Sequence, residues 1–340
     1  MDNATTGLIL LMVAGMVNGS FTVPMKFTKG WAWENTWLLW SIFALVVFPP
    51  VCAFSAIPRL FAVYSGSSIV LILTIAGFGL GWGVSQLCFG LATNSIGIAL
   101  TFSIAMGISA AVGSLVPMVL LHSQRIWSLP GLAAMVGVAI LLVGVFMCAR
   151  ASRLREQAAA LSLEGSSQTR EVNGVFFAVC SGLGGAMVNF GVAFGGPLIA
   201  RAEMFGANSA WSPNVVWLPL MLGGAIPNLI YCVYLLRTNR SSAKFRAPES
   251  AINMFYALVM AVFWFGSTSL YGVAAGKLGA WGTVLGWPLF SSVIVITASV
   301  LGIVTGEWKN TGKRPLRFQV VGVALLVLAV FVLSSAGQRP

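Results

Sequence analysis

The sequence predicts an all-α integral membrane protein of about ten transmembrane helices, arranged as two inverted five-helix repeats. Three observations lead there. Of 340 residues, 58% are hydrophobic and only 8% are charged, whereas a soluble domain carries about 25% charged residues. The apolar residues gather into uninterrupted runs of membrane-spanning length. Segments of the first half recur, in order, in the second.

The charge deficit excludes a water-soluble fold, because so few charges cannot cover the surface of a chain this long. Backbone groups facing lipid must be bonded internally, which leaves helices or a closed barrel. Barrel strands alternate apolar and polar residues. Runs such as Val136 to Met147 and Val320 to Leu333 do not alternate, so helices are predicted. A requirement of about twenty apolar residues per crossing gives spans near 6–25, 36–56, 67–91, 97–121, 128–149, 173–199, 212–236, 251–275, 281–304 and 318–336. Asp2 is the only charge before Lys26, so the first apolar run is read as a retained helix rather than a cleavable signal. The stretch 150–171 is polar, with Arg150, Arg153, Arg155, Glu156, Glu164, Arg170 and Glu171. It divides the chain into a first repeat (1–149), a cytoplasmic linker (150–171) and a second repeat (172–340).

The net charge of +11 does not point to nucleic acid, because the cations fall in short clusters between apolar spans. The loops after spans 1, 3, 5, 7 and 9 hold 14 of the 19 lysines and arginines, and the termini and remaining loops hold 5. The positive-inside rule therefore places both termini outside the cytoplasm. Cys52, Cys88, Cys148, Cys180 and Cys232 all lie in apolar stretches without CxxC spacing and read as small packing residues.

The repeat is visible without gaps. Trp82 to Gly97 aligns with Trp264 to Gly279, with Trp82/Trp264, Ser85/Ser267, Gly90/Gly272, Ala92/Ala274 and Gly97/Gly279 identical. Val136 to Phe146 matches Val321 to Phe331 at seven of eleven positions. These matches fall at the third and fifth span of each half. Five is odd, so the second half enters the membrane from the opposite side, the architecture in which secondary transporters alternate access around a midplane site.

Ionisable residues within a span are functional suspects because they are costly there. The eight carboxylates lie in loops or near span ends, and the single histidine, His122, ends span 4. No paired carboxylates, metal-ligand cluster or cofactor site is expected. Gly276-Lys277 is followed by Leu278, so there is no P-loop. These absences argue against an enzyme or an ATP-driven pump and favour a neutral polar solute as partner. Such a solute needs amides, hydroxyls and aromatic faces. The candidates are Asn18, Trp82, Gln86, Asn189, Trp264, Ser267, Thr268, Tyr271 and Trp287. Gln86 lies one turn from Trp82, and Thr268 one turn from Trp264, on shared faces. The glycines of span 3 (Gly77, Gly79, Gly81, Gly83) and span 6 (Gly182, Gly184, Gly185) predict close helix packing. Pro24, Pro117, Pro227 and Pro288 predict kinks.

Four segments carry a family resemblance: Lys29-Gly-Trp-Ala-Trp-Glu-Asn-Thr-Trp37, Gly81 to Leu91, Ile104 to Ile108, and Gly306-Glu-Trp-Lys-Asn-Thr-Gly-Lys-Arg-Pro315. They resemble the bacterial L-rhamnose–proton symporter family of the drug/metabolite transporter superfamily, in order, from near residue 15 to the C-terminus. The resemblance implies ten helices in two inverted repeats, sugar import across the bacterial inner membrane, and coupling to protons. The stretch Gly276 to Pro288 departs from the family's acidic, aromatic-rich pattern, having no carboxylate. Glu34 and Glu307 are then the acidic residues within matching motifs and the candidates for proton coupling. Two other readings stay open: an exporter or lipid-linked-sugar translocator of the same superfamily, and a non-transporting membrane scaffold or sensor.

Overall fold

The computed structural model describes residues 3–160, 168–306, 308 and 312–337. All regular structure among them is helical, and ten helices are long and apolar enough to cross a membrane. These spans run Asn3–Phe27, Trp33–Ala56, Ile69–Thr93, Leu100–Leu121, Leu129–Arg155, Asn173–Met204, Asn214–Thr238, Ser250–Lys277, Gly279–Val304 and Lys313–Ser335. The protein is a multi-pass membrane protein. Ile69, Val70, Leu73, Phe176, Ile230 and Phe331 are all largely exposed, which an aqueous surface would not tolerate in such number and a lipid surface requires.

The helices penetrate the segment 150–171 from both sides: one continues to Ala160 and the next begins at Gln168. The run from Ala149 to Ala160 is rich in alanine, arginine, leucine, glutamate and glutamine, all strong helix formers, so the loss of hydrophobicity at Arg150 does not end the helix.

Packing follows a reciprocal scheme. Span 3 packs on spans 6 and 7 and span 6 on span 4, while span 8 packs on spans 1 and 2 and span 1 on span 9. Span 4 meets span 5 as span 9 meets span 10, and spans 5 and 10 pair along their lengths. Glycine makes the closest of these contacts possible. A Cβ at Gly15 would lie 2.6 Å from Val293, one at Gly19 2.8 Å from the Ile294 carbonyl, and one at Gly182 2.6 Å from Ile108. Gly79, Gly81, Gly83, Gly184 and Gly185 likewise abut neighbouring spans, but Gly77 has nothing within 4 Å. Close packing thus accounts for all the singled-out glycines except Gly77.

Prolines leave a distinct mark. Pro117 lies within span 4, Pro219 and Pro227 within span 7, and Pro288 within span 9, while Pro24 sits in a 3₁₀ turn, Val23–Phe27, ending span 1. A proline has no N–H for the carbonyl four residues earlier, and in a membrane that carbonyl must find another donor. Three of them do so across the bundle. Gly113 O accepts Asn189 Nδ2 at 2.7 Å, Val284 O accepts Ser114 Oγ at 2.6 Å, and Val215 O accepts Tyr64 Oη at 2.6 Å. In span 2 the prolines Pro49 and Pro50 follow a π-helical turn, Ile42–Val47.

The only non-glycine residues with positive φ among those described are Arg59 (53°) and Arg240 (50°), which follow spans 2 and 7. Gly97 and Gly279, the aligned pair of the repeat, also both have positive φ, 81° and 64°, where a side chain would be strained.

Candidate functional site

Two polar-aromatic clusters occupy the bundle centre, both carried by one face of span 8. That helix presents Trp264, Ser267, Thr268 and Tyr271 at one-turn spacing, so Trp264 and Tyr271 are about 10 Å apart along the axis. Span 8 runs from the face bearing the Lys244/Arg246 loop toward the face bearing Asn3; these are called the basic face and the N-terminal face.

The cluster nearer the basic face is aromatic. Trp82 of span 3 and Trp264 of span 8 stack with centroids 5.2 Å apart and planes 23° from parallel. Trp40 meets Trp264 edge-on at 5.2 Å, Trp37 lies 4.4 Å from Trp40, and Trp33 stacks on Trp37 at 5.0 Å. Five indoles thus form a continuous ladder from mid-depth to the start of span 2. Trp37 Nε1 donates to Asn228 Oδ1 at 3.2 Å, but the buried Trp40 Nε1 has no acceptor among the described residues. Beside the stack, Asn18 Nδ2 donates to Ser267 Oγ at 2.8 Å, and Ser267 Oγ donates to the Trp264 carbonyl at 2.8 Å. Thr268 Oγ1 also donates to that carbonyl, at 2.7 Å. Gln86, one turn beyond Trp82, is half-buried and makes no hydrogen bond among the described residues.

The second cluster, nearer the N-terminal face, is a polar clasp around Asn189. Its side chain is fully buried. Nδ2 donates to Gly113 O at 2.7 Å and to Thr283 O at 3.0 Å, and Oδ1 accepts the Tyr271 hydroxyl. One amide therefore ties span 6 to spans 4, 8 and 9. Trp287 packs edge-on to Tyr271 at 5.4 Å and donates from Nε1 to Ser109 O at 2.9 Å. Ser114 to Val284 O adds a further bond between spans 4 and 9. Above the clasp a vestibule of about 490 Å³ opens at the N-terminal face, lined by His122, Glu203, Ser212 and Lys277 and, beside the clasp residues, by Gly272 and Thr283. Glu203 accepts the Ser212 hydroxyl at 2.8 Å, and His122 stacks on Trp281 at 5.5 Å.

The nine sequence-predicted polar and aromatic residues thus divide between two sites. Trp82, Trp264, Asn18, Ser267 and Thr268 gather in the aromatic cluster with Gln86 adjoining it; Asn189, Tyr271 and Trp287 form the clasp. Glu34 is buried at the basic-face end of span 2 and accepts from Ser241 Oγ at 2.5 Å and Asn239 Nδ2 at 3.0 Å, joining span 2 to the end of span 7 and the loop after it. Glu307 lies outside the described residues. Trp33, Trp37 and Trp40 were not among the predicted site residues, although their spacing of three and four puts them on one helical face. A further internal match accompanies the two asparagines: Met16-Val17-Asn18 repeats as Met187-Val188-Asn189.

Ten apolar spans enclosing neutral hydrogen-bonding groups and an indole ladder, with a vestibule above the clasp, are the arrangement of a membrane transport protein. Comparison with known proteins gives the family. The model of the L-rhamnose-proton symport protein family matches residues 1–337, and the chain belongs to that family. It is 27% identical over 331 residues to the L-rhamnose-proton symporter of Mannheimia succiniciproducens, covering 95% of each chain. It is 28% identical over 319 residues to that of Pectobacterium atrosepticum, covering 91% of each, and 26% identical over 337 residues to that of Yersinia pestis, covering 97% of each.

Proposed function

We propose that this protein imports L-rhamnose or a related neutral monosaccharide together with protons, by alternating access between two inverted five-helix repeats. The observation that carries the reading is the Trp82–Trp264 stack. The two indoles are aligned positions of the two halves, they meet at mid-depth, and Gln86 stands free beside them. A sugar ring has an apolar face that stacks on indole and hydroxyls that seek amides, and Trp82, Trp264, Gln86, Asn18 and the unpaired Trp40 N–H supply both. No carboxylate lies at this depth among the described residues, which suits an uncharged solute.

The reciprocal packing of the spans, the positive-φ arginines after spans 2 and 7, and the Gly97/Gly279 pair support the inverted repeat. Its halves are 1–149 and 172–340. The cation distribution supports the N-terminal face as extracytoplasmic in the bacterial inner membrane, so the vestibule would face the incoming sugar. Glu34 and Glu307 are the proposed proton-coupling residues, and Glu34 is the one whose surroundings the structure describes. A protonated Glu34 has one fewer acceptor site for Ser241 and Asn239, so its charge state would set the joint between spans 2 and 7.

The test is counterflow of labelled L-rhamnose in proteoliposomes, with and without an inward proton gradient, in the parent and in Gln86→Ala. Gradient-stimulated uptake that the variant loses is expected. A well-folded parent that exchanges no L-rhamnose refutes the substrate, and a Gln86→Ala protein with unaltered uptake refutes the site.

A further inference from the structure

We infer that Asn189, Tyr271 and Pro117 form a latch, without an equivalent at the matching positions of the other repeat, that holds the N-terminal face closed and that each transport cycle must break. This rests on the alternating-access reading above.

The argument compares the clasp with its counterpart in the other repeat. The Met-Val-Asn match pairs Asn189 with Asn18. Extending the ungapped alignment of Trp82 with Trp264 pairs Tyr271 with Phe89, Thr283 with Thr101, Gly113 with Val295 and Pro117 with Ser299, all 182 residues apart. A symmetric protein would close its two faces with equivalent clasps. Here the counterpart lacks the chemistry. Phe89 has no hydroxyl to offer an asparagine. Ser299 keeps its N–H for the Val295 carbonyl, whereas Pro117 leaves the Gly113 carbonyl without a helical donor. Asn18 turns sideways to Ser267 instead, and the hydroxyl of Thr101 is buried with no partner among the described residues.

The latch is therefore favoured twice over on one side. Asn189 satisfies a carbonyl that nothing else in its own helix can satisfy, and Tyr271 satisfies the amide oxygen of Asn189. Parting spans 4, 6 and 8 at the N-terminal face leaves all three groups unpaired until water or a hydroxylated solute reaches them. The basic face is tied by different bonds, Asn253 to the Lys29 backbone and Glu34 to Ser241 and Asn239. Asn189, Tyr271 and Pro117 act as positioning residues: they hold the N-terminal face closed without any need to touch the solute.

The test reads sidedness rather than activity. Ser267→Cys, one turn below Tyr271 and almost fully buried, is placed in a background lacking the five native cysteines. It is labelled with a membrane-impermeant maleimide from each face in turn, in right-side-out and inside-out vesicles oriented by an N-terminal tag. Tyr271→Phe, which reproduces the counterpart, and Pro117→Ala, which returns an N–H to Gly113, are each expected to speed labelling from the N-terminal face about fivefold or more. Labelling from the basic face should be unchanged or slower. A Phe89→Tyr variant should not speed N-terminal-face labelling. Equal acceleration from both faces would mean loosened packing, and no acceleration in either variant would mean the bonds do not gate; each overturns the latch. Because no sugar is needed, a protein that labels as expected but exchanges no L-rhamnose keeps the latch and loses only the substrate.

Discussion

The glycines of span 3 offer a controlled test of the packing, because two of them, one half-turn apart, have opposite surroundings. Gly77 has nothing within 4 Å of where a Cβ would stand. At such a site Gly→Ala removes unfolded-state freedom and stabilises a helix by about 0.5–1 kcal/mol. At Gly79 the added carbon would collide with the Leu220 carbonyl oxygen and lie 2.7 Å from its carbon and 3.0 Å from its Cα. None of these is a flexible side-chain end. Gly223 reciprocates on the Ala76 backbone, with the carbonyl carbon at 3.0 Å, so spans 3 and 7 cannot slide to make room without a second clash. Overpacking of this kind costs about 1–3 kcal/mol. Gly77→Ala and Gly79→Ala, identical in composition, should therefore differ by about 1.5–4 kcal/mol, the sum of the gain and the cost. Thermal unfolding of both variants in one detergent, beside the parent, measures the gap. Gly79→Ala should melt several degrees below Gly77→Ala. Midpoints within about 1 °C of each other, or a higher one for Gly79→Ala, would refute the claim that backbone contact between spans 3 and 7 explains this glycine.

Three further outcomes are expected. Removing Asn18 and Ser267 side chains singly and together, each to Ala, should give a coupling of about 0.6 kcal/mol, typical of hydrogen bonds within a bilayer; a cycle that closes at zero would remove that bond from the account. Trp264→Phe should retain part of L-rhamnose exchange and Trp264→Ala should abolish it, because only the first keeps a ring against Trp82; equal exchange in both would exclude stacking as the basis of recognition. Glu34→Gln should preserve counterflow but lose stimulation by a proton gradient, since the amide still reaches Ser241 and cannot titrate. Stimulation retained in Glu34→Gln would move the coupling elsewhere.

Much of this architecture was legible in the residues. Ten apolar runs in a chain so poor in charge leave little choice but ten helices, and the Trp82/Trp264 match foretold a pair that the fold brings face to face. The predicted site nevertheless merges two clusters, because Trp264 and Tyr271 share a helix face and only the neighbouring spans separate their roles. Trp33, Trp37 and Trp40 escaped because tryptophans near a span end look like interfacial anchors. The Met-Val-Asn match was present in the sequence but is only three residues long, too short to stand out in apolar surroundings without the fold to align it. The clasp itself could not be read at all. Pro117 announces that the Gly113 carbonyl needs a donor, but nothing local says that the donor lies on span 6.

That last point gives the intramembrane prolines a meaning beyond bending helices. Pro117, Pro219 and Pro288 each create a vacancy that Asn189, Tyr64 and Ser114 fill from another part of the chain. Each proline and its donor thus form one structural unit: losing the donor leaves a buried carbonyl unpaired, and losing the proline leaves the donor competing with a restored helical bond. Across the transporters related to this one, these positions should be exchanged as couples, and a relative that has kept only one member of a couple should have rebuilt the helix contact around it.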